Sequence, residues 1–127
     1  MHKSRLAGFI IDCDTQDLDA AARFWGAALG HPLREQSLTV ENAAYRTFET
    51  GAQGLHIEVQ QVKHASRVHL DIETAHIEAE VQRLEKLGAK RLRQVRSWWV
   101  MQAPSGQKFC VVRPQRADFA ASANSWD

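Results

Sequence analysis

Residues 10–33 read Ile10-Ile11-Asp12-Cys13, a polar turn, a helical stretch closing on Ala28-Leu29-Gly30, and then His31-Pro32-Leu33. Residues 69–90 repeat the phrase as His69-Leu70-Asp71-Ile72, a polar turn, a helical stretch closing on Lys86-Leu87-Gly88, and then Ala89-Lys90. The later parts echo as well, with Gly54-Leu55-His56-Ile57-Glu58-Val59 lying over Gly106-Gln107-Lys108-Phe109-Cys110-Val111. Two copies of one unit set equivalent positions around a pseudo-two-fold axis. The question of function then narrows to what occupies a few matched positions.

Working outward from these stretches, residues 7–13 are apolar and β-branched and read as a strand. Asp14, Thr15 and Asp17 each suit a helix N-cap. Leu18, Ala21, Ala22, Trp25, Ala28 and Leu29 then fall at helical spacing, Gly30 suits the position just past the helix, and Pro32 prevents continuation. Residues 34–39, 43–49 and 55–62 read as three further strands. The second copy gives a strand over 67–72, a helix over about 75–87, and strands over 90–95, 98–103 and 108–113. Each half is therefore β-α-β-β-β. One helix covers only one side of a sheet, so a lone unit leaves a face bare. Two units that curl toward each other shelter it. The expected architecture is α+β: two βαβββ modules, at about 7–62 and 67–113, within one domain over 1–113, with cupped mixed sheets, helices outside and a cleft between. Residues 114–127 read as a poorly fixed arm, with Phe119 and Trp126 available to dock it on the body or on a partner.

The chain has 127 residues, 44% of them hydrophobic and 24% charged, which is the composition of an ordinary globular domain. Its 16 basic and 15 acidic residues are well mixed, so nucleic acid and anionic membranes are poor partners for it. No apolar run approaches the roughly 20 residues needed to span a bilayer. The start, Met1-His2-Lys3-Ser4-Arg5-Leu6, lacks the apolar core of a signal peptide, and the expectation is a cytoplasmic protein. Cys13 and Cys110 form no CxxC pair and are expected as two buried free thiols.

Strand alternation sorts the candidate site residues. On 55–60, Leu55, Ile57 and Val59 pack beneath the helix, while His56, Glu58 and Gln60 point into the cleft. On 67–72, Val68, Leu70 and Ile72 form the core set, leaving His69 and Asp71 opposite. On 108–113, Phe109 and Val111 pack, and Lys108, Cys110 and Val112 face the cleft. On the first strand Phe9 and Ile11 pack, leaving Gly8, Ile10 and Asp12. Trp98 and Trp99 are strand neighbours, so one is core and the other is available as a stacking wall for a ligand. Arg46 is either a solvated surface residue or an anchor for an anionic group. His31, His64 and His76 sit in turns and read as surface.

Residues 22–30 (Ala-Arg-Phe-Trp-Gly-Ala-Ala-Leu-Gly), the helix around Ile77-Glu78-Ala79-Glu80-Val81, and residues 103–112 (Ala-Pro-Ser-Gly-Gln-Lys-Phe-Cys-Val-Val) are similar to small glyoxalase-like proteins. More broadly, residues 7–113 resemble the vicinal oxygen chelate superfamily, which includes glyoxalases, bleomycin-resistance-type proteins and extradiol dioxygenases. The resemblance implies homodimerisation, since similar proteins often pair such units across subunits. Metal-dependent members hold their ion with the first and last strand of each unit, His or Gln on the first and Glu on the last. Carried over one position at a time, those places fall on Ile10, Glu58, His69 and Cys110. His69 and Glu58 match the family's donors, Ile10 does not ligate, and Cys110 stands where a carboxylate would be. The expected function is a glyoxalase-like protein that binds a small, partly apolar molecule through His56, Glu58, His69, Cys110 and Trp98, without a catalytic metal. The alternative is a metal-dependent lyase, isomerase or dioxygenase with a divalent metal on His69 and Glu58.

Overall fold

The computed structural model describes residues 1–35 and 44–127. In chain order its elements are β1 His2–Cys13, α1 Leu18–Leu29, β2 Tyr45–Thr47, β3 His56–Gln61, β4 Arg67–Thr74, α2 Ile77–Lys86, β5 Lys90–Val95, β6 Trp98–Gln102, β7 Lys108–Val112, α3 Phe119–Ser122 and β8 Asn124–Trp126. The fold is α+β, with parallel and antiparallel strand pairs. Contacts divide the chain into two compact units, Phe9–Val68 on one side and Met1–Gly8 with His69–Asp127 on the other. Most of the expected strand and helix positions recur with ends moved by a residue or two, but β1 begins at His2, five residues before the expected start.

In the Phe9–Val68 unit the strands run in the order β2-β3-β1. The Asp17 side chain caps α1, accepting from the Ala20 amide at 3.0 Å, and Gly30 ends it at φ 74°. That left-handed conformation is one glycine adopts without steric cost. Leu18 and Ala22 of α1 pack on Ile11, Cys13, Phe48, Ile57 and Val59. A Cβ at Gly26 would lie 3.1 Å from the His31 carbonyl and 3.2 Å from Phe48 Cε1, so the missing side chain lets the helix settle on Phe48. Leu33 makes an isolated antiparallel bridge to Phe48. The strand expected over 34–39 falls outside the described residues from 36 onward.

In the other unit the order is β1-β4-β7-β6-β5, with β8 also paired to β1. Val81 and Leu84 of α2 pack on Met101 and Val111, and Ile72, Trp99 and Phe109 border this core. Two core assignments are corrected here. Leu70 is 51% exposed and Val68 57% exposed, although the alternation of β4 placed both beneath the helix. The reason is coverage: the buried stripe of α2 lies over β6 and β7 and reaches β4 only at Ile72.

The tail is also corrected. It is fixed rather than loose. Strand β8 pairs antiparallel with β1, Trp126 opposite His2, and Phe119 is buried. Trp126 Nε1 donates to Ser4 Oγ at 2.8 Å, and the Arg83 guanidinium stacks 4.0 Å from the centre of the Trp126 ring. Beneath them lies the fully buried Glu80, which accepts from Arg83 Nε (2.9 Å) and Nη2 (2.8 Å) and from His2 Nε2 (2.8 Å). Burial pushes the Glu80 carboxyl upward, but the hydrogen bonds from Arg83, His2 and Ser4 outweigh it and hold the group below its ordinary 4.5. A carboxylate depressed in the folded state stabilises it fully above its unfolded value and loses that contribution as pH falls through the folded one. Acid titration is therefore expected to melt this clasp below pH 4.5, and Glu80→Gln to flatten the acid limb of the stability curve. Urea denaturation across that range, read by tryptophan fluorescence, checks this; an unchanged acid limb in the variant would refute it.

Candidate functional site

Strands β4 and β7 run parallel with Asp71 opposite Cys110, and β6 lies antiparallel on the far side of β7 with Val100 opposite Cys110. Residues paired across a ladder share a face. Met101, Val111 and Ile72 face α2, so His69, Asp71, Cys110, Val100 and Trp98 occupy the opposite, helix-free face. One ladder step thus sets the Asp71 carboxylate beside the Cys110 thiol, and two residues along β4 add His69. No hydrogen-bonded turn or loop is needed to build the cluster. It rests on the middle of a sheet, where position is set most rigidly.

The donor atoms of His69, Asp71 and Cys110 lie within 4.8 Å of one another. His69 Nε2 is 3.5 Å from Asp71 Oδ1, close enough for an ion pair but long for a hydrogen bond. Asp71 Oδ1 is buried and accepts no hydrogen bond among the described residues. A buried carboxylate oxygen in that state is costly unless a charge or a donor reaches it. Cys110 is free and half-buried, so the expectation of two buried thiols holds for Cys13 only. Burial, and next to it the Asp12 charge, pushes the Cys13 thiol up, which lowers its thiolate fraction.

The other sequence candidates sit in the Phe9–Val68 unit. Thr47 lies opposite Glu58 in the β2–β3 pair, and Ile57 and Val59 belong to the α1 core, so His56 and Glu58 share the helix-free face of that unit. They pair with each other, His56 Nε2 donating to Glu58 Oε1 at 2.7 Å. Ile10 and Asp12 are buried on β1, and Arg67 Nε approaches Asp12 Oδ2 at 3.7 Å. Arg46 turns instead toward the α1 side, its Nε donating to Asp19 Oδ1 at 3.2 Å.

Of the paired tryptophans, Trp99 borders the α2 core and lies under the Arg91 guanidinium, 5.1 Å from the ring centre. Trp98 shares the face of Cys110. The residue that sequence reading left out of the site is Asp71. Its signal was available, since alternation placed it on the same face as His69. Its pairing with Cys110 depends on a parallel register that no local pattern encodes.

A family model described as a glyoxalase-like domain matches residues 9–112, and the chain belongs to that family. Among solved structures, the chain is similar to the hypothetical protein BH1468 of Bacillus halodurans C-125. The identity is 11%, the match covers 90% of this chain and 97% of that one, and the TM-score is 0.58. It is also similar to a glyoxalase/bleomycin resistance protein/dioxygenase family enzyme from Burkholderia phytofirmans PsJN. There the identity is 16%, the coverage 80% and 94%, and the TM-score 0.32. The first of these likenesses supports the fold alone. A search of curated proteins returned no match. No helix among the described residues is long and apolar enough to cross a membrane.

Proposed function

We propose that this glyoxalase-like protein binds a small, partly apolar molecule on the helix-free face of β4, β7 and β6. The observation that supports this is the composition of that face. A polar cluster of His69, Asp71 and Cys110 stands beside Val100 and Trp98, none of which the α2 core uses. Apolar walls with a few convergent polar groups are what small-molecule sites consist of. Trp98 supplies a flat apolar wall, and His69 with Asp71 supplies a donor and an acceptor for a hydroxyl or carbonyl of the ligand. Binding of this kind needs no metal.

The enzymatic alternative, a metal-dependent lyase, isomerase or dioxygenase, was framed on His69 and Glu58. Glu58 is engaged by His56, which favours the binding reading over a metal on that carboxylate. His56 and Glu58 then serve as a hydrogen-bonding pair on the face of their own unit.

The test is a panel of small planar molecules bearing hydroxyl or carbonyl groups, offered to chelator-treated protein and read by quenching of tryptophan fluorescence. At least one member is expected to bind, with Trp98→Ala and His69→Ala each weakening it by roughly tenfold to a hundredfold, the size of one lost stacking or buried hydrogen-bond contact. Ligands that bind both variants as tightly as the parent protein would place the site elsewhere.

A further inference from the structure

The geometry points to a zinc-type metal site formed by His69, Asp71 and Cys110 alone, with all three donors on one face of β4 and β7. It goes beyond the small-molecule reading, which stands with or without an ion. Resemblance to metal-dependent relatives leads to a different expectation, with one donor from each of four strands in two units. Here Ile10 offers no donor at the first of those places. His69, Asp71 and Cys110 belong to a single unit, and the group includes Asp71, which the relatives' pattern does not use.

Three observations argue for an ion at this cluster. The first is spacing. Two ligands held tetrahedrally at zinc distances stand roughly 3.3–3.6 Å apart, depending on whether the pair includes sulfur. His69 Nε2 and Asp71 Oδ1 are already 3.5 Å apart. The full group of three lies within 4.8 Å, somewhat wider than a closed tetrahedral shell, so the Cys110 thiol would have to move inward on binding. The second is the state of Asp71, whose Oδ1 is buried and accepts no hydrogen bond among the described residues. A cation on that oxygen satisfies it. The third is exposure. His69 and Cys110 are only half-buried, which leaves the fourth position of a tetrahedral site open to water or ligand.

The donor chemistry selects the ion. Imidazole nitrogen, carboxylate oxygen and thiolate sulfur together suit zinc and its borderline neighbours. Magnesium and manganese prefer oxygen-rich shells. The substitution of a thiol at position 110 therefore changes the class of ion the face accepts rather than abolishing metal binding. When bound, such an ion supplies a Lewis-acidic contact for an oxygen of the ligand.

The experiment uses the full chain, stripped with chelator and loaded with zinc or cobalt ion. Expected are one zinc retained per chain after dialysis, no retention of magnesium or manganese, and a near-ultraviolet thiolate-to-cobalt charge-transfer band. Cys110→Ser should abolish that band. Asp71→Asn and His69→Ala should each weaken zinc, measured by competition with a chromophoric chelator, by at least about tenfold. Cys110→Ala serves as a second variant if the serine form does not fold, with circular dichroism of each variant as the check. Failure of the parent protein to retain zinc overturns the inference. So does zinc retained equally by the Cys110→Ser and Asp71→Asn proteins, which would put the ion on other donors. Quenching by the organic panel in stripped protein is a separate readout, so loss of this inference and loss of the binding reading are distinguishable.

Discussion

Glu73→Ala is expected to destabilise the protein by about 3–5 kcal/mol, the cost of breaking a buried ion pair by removing one partner. Glu73 is fully buried, and its Oε2 accepts from Arg5 Nε at 2.7 Å. Its Oε1 accepts from the backbone amides of Gln115 (2.6 Å) and Arg116 (3.1 Å). Alanine would strand a largely buried guanidinium and two amides at once. Arg5 keeps one anion, because its Nη2 also donates to Asp118 at 2.7 Å, so the lower part of that range is the more natural outcome. Glu73→Gln retains an acceptor and should cost about half as much, on the difference between charged and neutral hydrogen bonds. Urea denaturation measures the difference. Hydrogen exchange adds a local test, since the Gln115 and Arg116 amides should lose protection before those of β6. A loss below about 1 kcal/mol in Glu73→Ala would mean that the network contributes little.

That network also explains why the order of the tail leaves no trace in its own sequence. Apart from Phe119 and Trp126, residues 114–127 are mostly polar or small, with nothing periodic among them. Order comes instead from residues far away in the chain at its fixed points, Ser4 for the Trp126 indole nitrogen and Arg83 for the ring face. Glu73, about forty positions back, holds its start. Long-range partners of this kind leave no local pattern. The helices were legible because their signals are local: Asp17 as a cap, Gly30 and Gly88 at positive φ, and apolar residues at a spacing that one helix alone satisfies. Leu70 shows the limit of alternation. It identifies which residues share a face, but not how far along the strand the covering helix extends.

The site divides in the same way. Placing His69, Asp71 and Cys110 on the strand faces away from the helix required only the two-residue period of a strand, and that was legible. Joining them required knowing that β4 and β7 run parallel with position 71 beside 110. Sequence reading therefore valued Cys110 by its likeness to a carboxylate position and passed over Asp71. The pairing of His56 with Glu58 lies two residues apart on one strand, and alternation alone made it available.

The β6 strand carries a second large effect, and it separates framework from site within four residues. Met101→Ala is expected to cost about 2–5 kcal/mol, the range for a buried large-to-small change whose cavity only partly collapses. Met101 is fully buried among Val81, Leu84 and Val111. Val100 and Trp98 sit on the other face, half-buried and outside that cluster, with Val100 opposite Cys110. Val100→Ala and Trp98→Ala should therefore destabilise less than half as much as Met101→Ala, despite the greater size of the tryptophan. The functional readouts should invert this order. Trp98→Ala weakens quenching by the ligand panel, whereas Met101→Ala, compared at a temperature where both proteins remain folded, leaves it near the parent value. Thermal melts and fluorescence titrations on the same three variants decide the matter. If Trp98→Ala lowers stability as much as Met101→Ala does, then Trp98 is part of a second packed core, and the helix-free face is not a ligand surface.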